Sequence, residues 1–336
     1  MPVRTQQLTD FYAAYHADCM EVMPELPSES VGLSIYSPPF PELYQYSDDP
    51  RDMCNCVSYD EAMKQYDFVV SEVSRLTKPG RLSCVHATDL KRGIMYQHDF
   101  PGDIIRTHER HDMRYFCRVT IWKDAWEFAR RTRMKTLMHK SIVNDSANSR
   151  LAPGDYLLVF KKVGKNAEPI THELGLRDYA GERTIDPEML KEFENYKGDQ
   201  RKNAMSQWIY RQYASPVWMD IRRERLLGGT KQGVSKIAKA AIEDDEERHV
   251  CPLQLDVIDR CLDLWSNPGD VVLTPFMGIG SEVYESVRKG RKGVGIELKA
   301  TYYRQAIKAL EYIAYEKEKE RDGVFSDGKV PEEVEA

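Results

Sequence analysis

Short apolar runs alternate with amphipathic stretches through the first 162 residues of this chain, and the alternation resumes after residue 250. YAAYHADC (12–19) reads as a strand ending at Asp18, and VGLSIY (31–36) as a second. RLSCVHA (81–87), FCRVTIW (116–122) and GDYLLVFKK (154–162) read as three more, the last expected at a sheet edge. Residues 58–80 place Ala62, Tyr66, Val69, Val70, Val73 and Leu76 at helical spacing and stop at Pro79-Gly80. IIRTHERHDMRY is a further helix or loop. Beyond residue 250, CPLQLDVIDRCLDLWSNPGD, EVYESVRKG (282–290) and TYYRQAIKALEYIAYEKEKE read as helices, with VVLTPF (271–276) and GVGIEL (293–298) as strands. Parallel strands need crossover connections of about a dozen residues or more, usually helical. The expected class is therefore α/β, a doubly wound, mostly parallel sheet built from these seven strands.

The alternation dissolves over residues 163–245, which are polar, carry Gly198, Gly228, Gly229 and Gly233, and cluster aromatics in SQWIYRQYASPVW. The chain thus divides into a first half over 1–162, an insertion over 163–245, a second half over 246–321 and a flexible acidic tail over 322–336. No run of about 18 apolar residues occurs, so no membrane span is expected. MPVRTQQLTDFY has no apolar leader; a cytoplasmic location is expected rather than export. Seven scattered cysteines fit reduced thiols better than a disulfide framework. Cys54 and Cys56 have the wrong spacing for a zinc knuckle and no matching second pair, so no metal is expected. The net charge of −6 is unevenly spread. From Arg106 to Lys140 ten Lys/Arg stand against four Asp/Glu, whereas acid collects in EDDEE (243–247) and after Glu311. Any one basic run is also what a solvated helix face looks like.

Two strand ends carry the chemistry. VGLSIY breaks off into Ser37, Pro38, Pro39 and Phe40; prolines lack the N–H and fix φ, so a sheet cannot continue through them. VVLT runs into TPFMGIGS, a glycine turn between a strand and a helix, and the next strand ends in Glu297, 17 residues after Gly280. Glycines let a ligand approach the backbone, and an acidic strand tip can hold both ribose hydroxyls. Neither GKS/GKT nor the third glycine of a dinucleotide fingerprint is present. Adenosine without a pyrophosphate fits better, which points to S-adenosylmethionine. By itself a GxG is also an ordinary turn, and Glu297 is also a solvated strand end.

SPPF after one strand, TPFMGIGS after another and GIEL beyond it together resemble the DNA amino-methyltransferases of the cytosine-N4/adenine-N6 family. In that family an (Asp/Asn/Ser)-Pro-Pro-(Tyr/Phe/Trp) tetrapeptide is the catalytic loop, and a Pro-Phe-x-Gly-x-Gly-(Ser/Thr) turn holds the cofactor. The order here, with the tetrapeptide first and the cofactor turn last, resembles the circularly permuted β class. The run HADCMEVMPELPSESVGLSIYSPPF is similar to the family's usual opening, and the resemblance covers about residues 12–162 and 249–312. It implies a Rossmann-like methyltransferase fold with an inserted target-recognition region. It implies that Ser37, Pro38, Pro39 and Phe40 handle the target base. Pro275, Phe276, Gly278, Gly280 and Ser281 would wrap the methionine and sugar of S-adenosylmethionine, and Glu297 would bind its ribose. Asp18 would contact the adenine amino group with Cys19 beside it, and Pro252 would close over the methionine end. Asp18 also fits a helix cap for MEVMPEL. Two departures stand out: Val250 and Cys251 separate His249 from Pro252, and Thr274 replaces the commoner Asp.

An exocyclic amino nitrogen is a poor nucleophile because its lone pair is delocalised into the ring. Acceptors at its two N–H bonds, here the Ser37 hydroxyl and the Pro38 carbonyl, favour a pyramidal nitrogen and free the lone pair by preorganisation. Phe40 would stack on a base flipped out of the duplex, stacking being worth about 1–3 kcal/mol per base. Carbon-5 cytosine methylation needs a cysteine nucleophile at this turn, and none is there. Serine at the first position leans, by analogy within the family, toward cytosine N4, with adenine N6 as the alternative. The expected partner is double-stranded DNA, together with a restriction endonuclease where the enzyme belongs to a restriction–modification system. Arg130, Arg131, Arg133 and Lys135 resemble a phosphate track. Trp208, Arg211, Arg222 and Arg223 are residue types that wedge between or read bases, although a small core under the insertion would also account for the aromatics. Rival readings are a methyltransferase for protein amides or RNA, and a non-catalytic nucleic-acid-binding protein on the same fold.

Overall fold

The computed structural model describes residues 3–43, 46–93, 96–126, 139–172, 186–199, 202–228 and 252–322. The strands are β1 Thr5–Leu8, β2 Tyr12–His16, β3 Val31–Tyr36, β4 Thr77–Thr88, β5 Leu90–Arg92, β6 Tyr96–His98, β7 Met113–Ile121, β8 Asp155–Lys162, β9 Val217–Trp218, β10 Val271–Thr274 and β11 Lys292–Glu297. Nine of them form one sheet in the order β1-β2-β11-β10-β3-β4-β8-β7-β9, and β5 pairs with β6 in a small hairpin. From β2 through β11, β10 and β3 to β4 every neighbour is parallel. The α/β, mostly parallel architecture is as expected; among the described residues the sheet has nine strands where seven were expected. The extra edges, β1 and β9, gave no apolar signal: TQQL is largely exposed and VW is two residues long.

β8 is not at an edge. It lies antiparallel between β4 and β7, with Leu157–Phe160 fully buried. An unbroken apolar run marks burial on both faces of a strand, which an edge position does not require.

Helices cover both faces. Tyr59–Leu76 and Phe100–Arg110 pack on one side; Leu255–Trp265, Ser281–Arg288 and Ala300–Arg321 pack on the other, giving two separate apolar cores. Tyr59–Leu76 starts in a capping box: Ser58 Oγ accepts from the Glu61 N–H at 3.3 Å, and Glu61 accepts from the Val57 N–H at 2.9 Å. It stops at Leu76 rather than at Pro79-Gly80, because the Thr77 hydroxyl and N–H both close on the Val73 carbonyl. Pro79 and Gly80 instead sit inside β4, where the pairing with β3 shifts register between Val31 and Leu33. Within β3, a side chain at position 32 would displace a buried ion pair. A Cβ there would lie 2.8 Å from the guanidinium of Arg81, which donates to the Gly32 carbonyl and pairs with buried Asp270.

Within 163–245 the described residues include the helices Pro187–Asn195 and Ala204–Tyr213, capped by Asp186 and Asn203. They pack on each other around Met205 and Ile209. The acidic run 243–247 and the tail beyond Asp322 lie outside the described residues.

β3 and β10 are adjacent, and the chain winds outward from them in opposite directions, through β4 on one side and β11 on the other. Open parallel sheets bind ligands at such a reversal, outside the carboxyl ends of the strands. Both sequence-predicted turns leave the sheet at this point.

Candidate active site

A cavity of about 490 Å³ opens there. It is lined by Ser37, Pro38, Pro39 and Phe40 after β3, by Pro275, Phe276, Gly278 and Ser281 after β10, and by Glu297 at the end of β11. Asp18, Cys19 and Pro252 complete the wall. Catalytic and cofactor candidates predicted from distant parts of the sequence thus share one chamber.

The turn after β10 is shaped by two glycines with φ of +55° at Gly278 and +91° at Gly280, which side chains rarely adopt. At Gly280 a Cβ would also press on Ala306 at 3.1 Å. Glu297 braces the turn. Its carboxylate oxygens accept from the backbone N–H of Gly278 and of Lys299, each at 2.8 Å. Burial pushes the Glu297 carboxyl up to about 7 despite those two donors. Glu282, wholly buried at the start of the next helix, is pushed up to about 8 by burial, with the charge of Glu297 adding to the effect.

Asp18 is the helix cap that the sequence suggested. Its Oδ1 caps the short helix Cys19–Val22 by accepting from the Met20 N–H at 2.9 Å, and the residue also faces the cavity. The Cys19 thiol is pushed far up by burial, which removes it as a nucleophile.

On the β3 side, Phe40 is buried, with its ring meeting those of His86 and Phe100 edge-on at centroid distances of 6.5 and 6.1 Å. Ser37 is half-buried and lies against His86, which is paired in turn with Asp155. Sequence reasoning missed His86, Asp155 and Lys123, because they come from three strands with no common spacing. It also missed a loop over 46–53 that contributes Tyr46, Arg51 and Asp52 to the cavity. The loop is held by the Ser47 hydroxyl and N–H, both donating to Asp52 at 2.9 Å, and by Lys299, which donates to the Tyr46 carbonyl at 2.6 Å. The SDD segment (47–49), rich in turn-forming side chains, was the available signal.

Among the described residues, none of the predicted nucleic-acid contacts lines the cavity. Trp208 is half-buried in the small core of the insertion, and Arg211 is exposed on the same helix. Arg222 makes a two-point pair with Asp256, at 3.0 Å from Nε and 2.6 Å from a terminal nitrogen, while Arg223 beside it is half-buried. Arg130, Arg131, Arg133 and Lys135 lie outside the described residues. Among the described residues no group of His, Cys, Asp and Glu is placed to hold a metal, and no helix is long and apolar enough to cross a membrane.

A family model described as DNA methylase, N6_N4_Mtase, matches residues 31–308. The chain is 23% identical over 293 residues to the type II methyltransferase M.BamHI of Bacillus amyloliquefaciens, covering 86% of this chain and 55% of that protein. It is 27% identical over 117 residues to the DNA adenine methyltransferase YhdJ of Escherichia coli (strain K12), covering 35% of this chain and 34% of that one. The chain therefore spans about half or less of the length of these curated relatives. In fold it is similar to PvuII DNA methyltransferase (cytosine-N4-specific), with a TM-score of 0.59 at 13% identity, covering 96% of this chain and 97% of that one. It is also similar to a DNA modification methylase of Thermus thermophilus, TTHA0409, solved in complex with S-adenosyl-L-methionine, with a TM-score of 0.54 at 20% identity and coverage of 89% and 91%.

Proposed function

Because this chain belongs to the N6/N4 DNA methylase family, we propose that it methylates an exocyclic amino group of a flipped DNA base, using S-adenosylmethionine, with cytosine N4 as the target. The observation that carries this reading is the single cavity in which Ser37 to Phe40 face the glycine turn and Glu297. The chamber suits the cofactor: Gly278 lines it without a side chain, and Glu297 offers a carboxylate to paired hydroxyls. When bound, S-adenosylmethionine supplies the methyl group, the S–C bond breaking with its electron pair kept on sulfur.

The remaining work belongs to the chain. Ser37 Oγ and the Pro38 carbonyl accept from the two N–H bonds of the target amino group, which turns its lone pair toward the methyl donor. Phe40 holds the base, its own ring seated against His86 and Phe100. SPPF preceding the glycine turn supports the permuted β-class order, with 163–245 as the target-recognition insertion between the two halves. Double-stranded DNA is the proposed partner, and the likeness to M.BamHI favours a restriction–modification setting. Serine at the first position of the tetrapeptide supports cytosine; the likeness to YhdJ keeps adenine N6 as the alternative.

Incubation with labelled S-adenosylmethionine and unmethylated genomic DNA, followed by digestion to nucleosides and mass analysis, is expected to give N4-methylcytosine. Label on adenine would transfer the reading to N6. Tight DNA binding without methyl transfer would remove the enzyme reading.

Glu297 gives a second expectation. Its ionised form accepts from hydroxyls at both oxygens; protonation turns one oxygen into a donor and weakens the other as an acceptor. With its carboxyl at about 7, cofactor affinity should weaken as pH falls through neutrality. Kd for S-adenosylmethionine, measured by calorimetry, should rise about tenfold between about pH 8 and about pH 6, following the ionised fraction. A flat profile would separate Glu297 from the ribose.

A further inference from the structure

Four groups from neighbouring strands line up behind the target side of the cavity. Ser37 Oγ lies 3.3 Å from His86 Nδ1 and 3.3 Å from the His86 carbonyl oxygen. Across the ring, His86 Nε2 lies 2.8 Å from Asp155 Oδ1, and the other carboxylate oxygen pairs with the Lys123 ammonium. Ser37 follows β3, His86 stands in β4, Asp155 opens β8 and Lys123 follows β7, so sheet order builds the line.

The carboxylate can only accept from Nε2, which leaves Nδ1 as an acceptor. Both acceptors beside Ser37 then draw its hydrogen toward His86, and the remaining Oγ lone pairs are left for a base amino group. The contact of 3.3 Å is long, as hydrogen bonds of this kind are before substrate closes on them.

We propose that His86, held by Asp155 and Lys123, is a positioning residue that acts through Ser37 and takes up the proton released by amino-group methylation. The inference rests on the methyltransferase reading. A methylated amino nitrogen that still holds both hydrogens is cationic and must lose one. A carboxylate at the head of the tetrapeptide could take that proton itself; a hydroxyl cannot keep it and must hand it on. The nitrogen's proton moves to Ser37 Oγ as the serine's own proton crosses to His86 Nδ1. The N–H electron pair stays on nitrogen, the product is a neutral methylamino group, and the imidazolium faces the Asp155 carboxylate until it releases its proton to solvent.

Burial alone would raise the Asp155 carboxyl, but His86 and Lys123 hold it down at about 2, so it stays anionic. The groups that face His86 are the Ser37 hydroxyl, the Asp155 carboxylate, Lys123 through that carboxylate, and the Phe40 ring edge-on. A Ser-His-Asp line also serves acyl transfer elsewhere. Here the two residues after Ser37 are prolines, which have no N–H to stabilise a tetrahedral oxyanion.

The test uses the full chain with saturating labelled S-adenosylmethionine, so that cofactor affinity does not enter the rate, and unmethylated genomic DNA in single turnover from about pH 5.5 to about pH 8.5. An imidazole whose Nδ1 already carries a proton donates to Ser37 and cannot take up the one released. The rate should therefore fall about tenfold per pH unit on the acid side and level off above it. His86→Gln should lower the plateau by about 10²-fold and abolish the acid limb, with cofactor Kd within about threefold. Asp155→Asn should move the limb to lower pH, because the imidazolium loses its counter-charge. Imidazole ¹⁵N NMR of the full chain without cofactor, a readout independent of turnover, should find the Nε2–H tautomer at His86. A level wild-type profile, a His86→Gln variant that keeps the limb, or an Nδ1–H tautomer would overturn the proposal. Should His86→Gln not fold, the wild-type profile and the tautomer decide. An absence of methyl transfer at every pH would instead remove the methyltransferase reading.

Discussion

Ser37→Ala should reduce single-turnover methyl transfer by about 10²–10³-fold, the usual effect of deleting one preorganised hydrogen-bonding group at a reacting centre. The same variant should bind S-adenosylmethionine within about threefold of the parent, a change below ~1 kcal/mol. The separation follows from geometry. Ser37 Oγ touches His86 and the cavity, whereas the braced turn over Gly278 and Gly280 belongs to β10, β11 and Glu297. The change removes one oxygen from a half-buried position and leaves Pro38, Pro39 and the burial of Phe40 intact, so the fold should be indifferent to it. Calorimetry for affinity and rapid quench for transfer would check the pair of outcomes. Loss of cofactor binding together with turnover would assign Ser37 to the wrong ligand.

The largest expected effect on stability lies elsewhere. Arg225→Ala should cost about 3–5 kcal/mol, the range for removing one partner of a buried ion pair. The Arg225 side chain is 2% exposed and reaches Asp256 at 2.9 Å, Glu285 at 3.3 Å and Asp259. These carboxylates come from the helices Leu255–Trp265 and Ser281–Arg288. Without the guanidinium they face one another in the core, with Arg288, Arg222 and Lys289 only partly compensating. A domain of ordinary stability holds about 5–15 kcal/mol, so this variant should unfold at a much lower urea concentration. Arg4→Ala, which breaks the exposed pair to Asp49, is the control and should cost no more than about 1 kcal/mol. Equal effects from the two would show that the buried cluster is no more than a surface pair in kind. Arg222, offered by the sequence as a base reader, and Arg225 both join this cluster. Their carboxylate partners lie more than 30 residues away, so nothing local betrayed the pairing.

Strand ends and helix starts were legible for local reasons. Pro38 and Pro39 cannot continue a ladder, Gly278 and Gly280 adopt φ values that side chains rarely adopt, and Ser58 with Glu61 announces a helix. Such rules act over a few residues and survive without knowledge of the fold. The resemblance of SPPF and TPFMGIGS to one family joined the two ends into a single expectation, and the cavity between β3 and β10 holds both. The misreadings share one cause. β8 was placed at an edge and the sheet was counted two strands short, because strand order is written in pairings between distant residues such as Cys84 with Val159, not in periodicity.

Residue type and spacing alone therefore located the Ser37–Phe40 turn, the glycine turn after β10 and the acidic strand tip, since each depends on backbone constraints within its own segment. Only the tertiary structure put His86 behind Ser37, Asp155 behind His86, and Arg225 among three acids. A proton path or a buried charge cluster requires groups from different strands and helices to converge within hydrogen-bond reach in a place water does not screen. That convergence is a property of sheet order and packing, which no single stretch of sequence contains.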